Sequence, residues 1–182
     1  MKRVLDFRKW HTNMIIIDNR KTNRCSMKAE FINPFLNATK NVLETMCQTT
    51  VKANKPSLKQ DKYTYGAITG IIGMASSTCS GCMVLSFSES CILKIVANML
   101  YEEPKTKIDA DIIDAVGELT NMICGGAKAH LAKLNHKFDL ATPTMVTGKG
   151  IEIAYHTEAP TIVIPFSTEY GDFVVEANLA DK

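Results

Sequence analysis

DADIIDAVGELTNMICGGAKAHLAKL, residues 109–134, places Ile112, Ile113, Val116, Leu119, Thr120, Ile123, Ala127 and Leu131 at three- and four-residue intervals. That spacing predicts a long amphipathic helix from about Asp109 to Leu134, with one broad face turned to a core. Asp109, Asp111 and Asp114 fall near its start, where the exposed backbone N–H groups favour negative charge. Glu118 and Asn121 are three residues apart and therefore share a surface different from the one bearing Leu119, Thr120 and Ile123. Gly117, Gly125 and Gly126 each cost about 1 kcal/mol of helix propensity relative to alanine. Such a cost makes sense where another backbone or protein surface comes close. The plain alternative is a solvated glutamate, a polar asparagine and glycines that admit a neighbouring sheet.

Outward from this segment the patterning alternates between helix and strand. FINPFLNATKNVLETMCQTT, from Phe31, carries Phe35, Ala38, Val42, Thr45 and Met46 at helical spacing, with Pro34 expected in the first turn. NKPSLKQDK is a polar break. YTYGAITGIIGMASSTCSGCMVLSFS holds two β-rich runs around Ser76, Ser77 and Thr78, a hairpin pattern in which Gly66, Gly70 and Gly73 mark bulges or close backbone approaches. Residues 88–102 return to helical spacing through Ile92, Ile95, Val96, Met99 and Leu100, with Ser88 or Ser90 as a possible cap. After the long helix, TMVTG, GIEIAYH, PTIVIPF and DFVVEANL are expected strands, the last two joined by a hairpin turn at Glu169–Asp172. Pro165 places part of its strand at an edge or bulge. The expected fold class is α/β in the α+β sense, with helices packed on a mostly antiparallel or mixed sheet. Helix followed by hairpin occurs twice, which leaves an internal duplication open.

The chain has 182 residues, 46% of them hydrophobic and 22% charged, enough for a core that needs neither metal nor disulfide. Its formal charge of +2 is uneven. Residues 1–26 hold seven Lys/Arg against two Asp/Glu, while the remainder is mildly acidic and contains no arginine. Residues 1–26 are expected to form a disordered basic extension or to derive from an upstream start, with residues 27–182 as the folded domain. The short run Met14–Ile17 is too brief for a membrane span or signal core, so a cytoplasmic protein without a transmembrane segment is expected. A body without guanidinium groups or a basic stripe disfavours nucleic acid as a partner.

The six cysteines read as core residues of a reduced protein. Cys79 and Cys82 form CSGC, but within a strand-like stretch rather than at a helix start that could lower a thiol pKa. His130, His136 and His156 show no paired metal-ligand spacing. TGIIGMASS lacks the GK[ST] of a phosphate loop, and no GxSxG elbow is present.

With Glu118, two intervening residues and Asn121 inside DAVGELTNMICGGAKAHL, the chain resembles the CheC/CheX family of bacterial chemotaxis phosphatases from roughly Met27 to Leu179. The placement of GCMVLSFSESCILKIVANML before the motif, and the later PTIVIPFSTEYGDFVVEA, are most similar to the CheX type. The resemblance implies a phosphatase acting on the aspartyl phosphate of a CheY-like response regulator. Glu118 would engage a lysine of that receiver, and Asn121 would orient the attacking water. The receiver would supply the phosphorylated aspartate and Mg2+, with no cofactor bound by this chain. A homodimer is also implied. The first helix lacks a second copy of the motif, because Asn37 and Asn41 have no Glu three residues earlier and Glu44 is followed by Cys47, so one site per chain is expected. The alternatives are a non-catalytic receiver-binding or flagellar-motor-associated module and, more remotely, a metal-dependent redox enzyme.

Overall fold

A computed structural model describes residues 29–155, 157 and 159–182; the expected basic extension of residues 1–26 lies outside them. In chain order the elements are α1 (Ala29–Met46), β1 (Lys52–Ala53), β2 (Ser57–Leu58), β3 (Ile68–Ala75), β4 (Cys79–Phe87), α2 (Glu89–Leu100), α3 (Ala110–Lys133), β5 (Asp139–Leu140), β6 (Thr144–Thr147), β7 (Ile162–Thr168) and β8 (Gly171–Asp181). The strands form one eight-stranded sheet of order β1-β7-β8-β4-β3-β5, with β2 also on β7 and β6 also on β3. All described pairings are antiparallel. The two long hairpins, β3–β4 and β7–β8, meet along β4 and β8 at the sheet centre. The short strands that follow α1 pair with the second hairpin, and those that follow α3 pair with the first. The duplication left open by the sequence is thus visible as a repeated order of helix, short strands and hairpin, with α2 between the copies.

One sheet face is apolar and carries the helices. Ile68, Ile72, Met83, Leu85, Ile164, Phe166, Phe173 and Val175 are buried there against Phe35, Leu43, Val116, Leu119 and Ile123. Across the registers Phe87↔Phe173↔Phe166 the three rings stack, with centroids 4.9 Å apart at each step. Offset aromatic neighbours of this kind add specificity to simple area burial. The opposite face holds Thr69, Ser86, Glu176 and Asn178, all buried. It is covered by residues 59–65 and 151–155, tied together by Thr64 N–H to Ile151 O and Ile153 N–H to Lys62 O, each 2.8 Å. Lys59 Nζ reaches Glu176 Oε1 at 2.6 Å, and the Tyr155 hydroxyl donates to the other carboxylate oxygen.

Several local expectations change. Pro34 is the sixth residue of α1, beyond the first turn, so its missing N–H removes one hydrogen bond from the helix interior. GIEIAYH alternates like a strand, yet Glu152 makes only an isolated bridge to Tyr63, because the segment crosses over the sheet to pack Tyr155 onto Glu176. Ser88 occupies the N-cap of α2 without a capping hydrogen bond; its hydroxyl donates to Asp172 O instead. β7 is not an edge strand, being flanked by β8 and by β1 and β2, but Pro165 sits at the gap between the pairings of β1 and β2, where its carbonyl accepts from Asn54 N–H at 2.8 Å and no ladder bond needs an N–H from it. No helix among the described residues is long and apolar enough to cross a membrane.

Candidate functional site

The long helix α3 is held from three directions. At its start Asp109 is the N-cap, its carboxylate accepting from Ile112 N–H at 3.2 Å. Lys105 donates to Asp109 Oδ2 at 2.8 Å and also pairs with Asp111. The Lys105 ammonium beside it, then the Ile112 N–H, hold the Asp109 carboxyl below its ordinary range, and the carboxylates of Asp109, then Asp111, raise Lys105. Along its inner face, Thr120 is buried and donates to Val116 O at 2.7 Å, directly over Gly70 of β3. A β-carbon on Gly70 would fall 2.1 Å from the Thr120 hydroxyl oxygen, so only glycine lets the helix seat this closely on the strand. On its flank, Gly126 meets Ala38 of α1. Farther along, the rings of Phe31, near the start of α1, and His136, just past the end of α3, meet at a tilt with centroids 4.7 Å apart, so the two long helices run antiparallel.

With the inner positions thus committed, Asp111, Asp114, Glu118 and Asn121 are left exposed in one stripe at intervals of three, four and three. Among the described residues neither Glu118 nor Asn121 has a hydrogen-bond or salt-bridge partner. Both predicted residues therefore lie on solvent and on one helix face. A rise of about 1.5 Å per residue separates them by about 4.5 Å along the axis. Met145 of β6 borders the stripe on one side, its sulfur 3.8 Å from where a β-carbon on Gly117 would be. Asn37, Asn41 and Glu44 of α1 are exposed on the other helix. An unpaired carboxylate and an unpaired amide on a rigid helix can bind a cation and hold a water, respectively.

The CSGC motif does not form a site. Cys79 and Cys82 are three apart on β4, so they point to opposite faces of the sheet. Burial pushes the Cys82 thiol up to about 11 and Cys124 up to about 12, far from the thiolate form that redox or metal chemistry requires. Among the described residues no three His, Cys, Asp or Glu side chains group as a metal site, and His156 lies outside those residues. The Lys59–Glu176–Tyr155 cluster had no signal in the sequence, since Lys59 and Glu176 are 117 positions apart.

Comparison with known proteins gives a consistent result. The family described as "Chemotaxis phosphatase CheX" matches residues 68–167, which include the whole of α3. The chain is 26% identical over 127 residues to the CheY-P phosphatase CheX of Thermotoga maritima, covering 70% of this chain and 81% of that one. Its fold matches the crystal structure of a CheC-like superfamily protein from Shewanella sp. PV-4 with TM-score 0.79 and 42% identity, over 84% of this chain and 99% of that one. It also matches the CheX–CheY–BeF3–Mg2+ complex from Borrelia burgdorferi with TM-score 0.67 and 25% identity, over 84% and 97% of the two chains.

Proposed function

The chain belongs to the CheX family of chemotaxis phosphatases, and on that premise we propose that it hydrolyses the aspartyl phosphate of a CheY-like receiver through Glu118 and Asn121. The single observation that carries this reading is the exposure of both side chains, without a partner among the described residues, on one face of a helix anchored to sheet and neighbouring helix. The Borrelia relative's structure with CheY supports the choice of partner.

The chemistry follows from the two functional groups. Hydrolysis attaches a water oxygen to phosphorus and breaks the bond from phosphorus to the aspartyl oxygen. It releases inorganic phosphate and regenerates the carboxylate, and the water proton passes to phosphate or solvent. Such a transfer depends on alignment and charge neutralisation more than on a strong base. The receiver's Mg2+ supplies the neutralisation. Asn121 supplies alignment: its Oδ1 accepts from the water and leaves an oxygen lone pair directed at phosphorus. A neutral amide can enter a pocket already crowded with negative oxygen without adding repulsion. Glu118, one turn earlier, would pair with a receiver lysine and set the depth at which Asn121 enters. A charge pair at the centre of an interface fixes register as much as affinity.

The test is the decay of a phosphorylated CheY-like receiver with and without the chain. The parent should accelerate loss of phosphate. Glu118→Ala should lower kcat/KM by roughly 30-fold or more, the equivalent of about 2 kcal/mol for a truncated interfacial charge pair. Asn121→Ala should bind but lose turnover. Binding without acceleration by the parent would replace this reading with a non-catalytic receiver-binding module.

A further inference from the structure

The three glycines of α3 do not have the same explanation. Gly126 is accounted for by α1, because a β-carbon there would crowd that of Ala38 at 3.0 Å. Gly117 lies beside Met145 at ordinary contact distance. Gly125 is different: among the described residues, a β-carbon there would have no heavy atom within 4 Å outside its own turns of helix. It is helical, with no positive φ to demand glycine. A glycine in a helix interior costs stability relative to alanine, and no close contact among the described residues offsets that cost.

Its position on α3 supplies a reason. At about 100° per residue, Gly125 lies within about 20° of Glu118 and about 40° of Asn121 around the axis, roughly one turn beyond Asn121. Along this face, then, run an exposed acid, an exposed amide and the bare backbone of a half-buried glycine. If Glu118 and Asn121 face a receiver, the surface around the receiver's phosphorylation pocket must descend on this helix as the amide enters. A side chain one turn past Asn121 would meet it first.

We infer that Gly125 is a positioning residue for the receiver: its missing side chain is the clearance that lets the rim of the phosphorylation pocket close onto α3 until Asn121 reaches the phosphoryl group. This inference rests on the reading of Glu118 and Asn121 as the receiver-facing pair. It predicts opposite signs for stability and function at one residue, which a merely structural glycine would not show.

The experiment compares the full chain with Gly125→Ala, Gly125→Gln and Gly125→Leu, against a CheY-like receiver carrying beryllofluoride for binding and acetyl-phosphate-derived phosphate for turnover. Gly125→Ala should raise Tm by about 2–4 °C, as a propensity gain in a chain this size implies. Affinity and kcat/KM should fall in the order Gly, Ala, Gln or Leu, reaching tenfold or more for the largest side chains, as overpacking a close contact does. A lower Tm for Gly125→Ala, or a folded Gly125→Gln or Gly125→Leu protein that binds the receiver like the parent, would overturn the inference. The catalytic reading is tested separately by the parent and Asn121→Ala. If the parent binds without dephosphorylating, that reading fails while the affinity series still decides the clearance. A parent that neither binds nor dephosphorylates overturns both.

Discussion

Gly126 of α3 and Ala38 of α1 stand so close that a β-carbon on the glycine would lie 3.0 Å from the methyl carbon of the alanine. This contact sets the spacing of the two long helices, and hence which residues of α3 remain outside. Close packing leaves no void to absorb added volume. Gly126→Leu should destabilise the fold by about 1–3 kcal/mol through overpacking. Urea unfolding should show a lower midpoint with little change in slope. An unchanged midpoint would mean that α1 yields freely and does not position the site.

The opposing requirements of size and charge at position 121 can be separated. Asn121→Asp preserves shape but brings a second negative charge toward a phosphoryl group and exchanges an amide donor for an acceptor. Its turnover should fall by about 10²–10³-fold, comparable to removal of a preorganised polar group from an active site. If instead Asn121→Asp matched the parent, the neutral amide would have no special role. Stopped decay of receiver phosphate at saturating enzyme distinguishes the two, because it reads the hydrolytic step apart from docking.

Much of this geometry was legible before any coordinates, for definite reasons. The long helix was readable because its apolar residues persist at a 3.6-residue period over six turns, and it is found at Ala110–Lys133 against an expected Asp109–Leu134. The β3–β4 hairpin was readable from two β-rich runs divided at Ser76–Thr78, where Cys79 N–H bonds the Ser76 hydroxyl at 2.9 Å. Two-residue strands such as β1 and β2 carry no periodicity; β2 falls inside the polar break NKPSLKQDK and β1 just before it, and neither has a pattern of its own. GIEIAYH has the right alternation for a strand, but alternation does not say whether a segment pairs within a sheet or lies across it. Glu118 and Asn121 could be placed on one surface by spacing, whereas their exposure depended on where α1 and β3 lie. Gly125 and Gly126 are adjacent and chemically identical, and only the position of α1 separates them.

Redox chemistry at CSGC is testable at Cys82, which is half-buried. Burial, followed by the nearby Glu176 carboxylate, raises its thiol to about 11, so at pH 7.5 it is protonated in the folded protein. Native alkylation by iodoacetamide should therefore be slow, and should become fast only when urea unfolds the chain. Peptide mass spectrometry after timed quenching reads this directly. Rapid native labelling of Cys82 would reopen the redox reading.

The far face of the sheet gives the last prediction, because Glu176 there is 1% exposed and its charge is met by Lys59 Nζ at 2.6 Å and by the Tyr155 hydroxyl. Removing one partner of a buried pair leaves a charge in a poorly solvating interior, so Lys59→Met should cost about 3–5 kcal/mol. Tyr155→Phe should cost less, about 1.5–3 kcal/mol at neutral pH, the range for a hydrogen bond to a charged group. Burial first, then the Glu176 carboxylate, pushes the Tyr155 phenol well above its ordinary value. A raised phenol pKa means that the folded state keeps the proton while the unfolded chain begins to release it near pH 10. The contribution of Tyr155 is therefore whole below about pH 10 and declines as pH rises beyond it. Urea unfolding of parent and Tyr155→Phe should show a constant stability gap from pH 7 to 9 that narrows above pH 10. A gap that stays flat or widens there would show that the phenol is not held neutral by the fold, and that residues 151–155 do not seal this face.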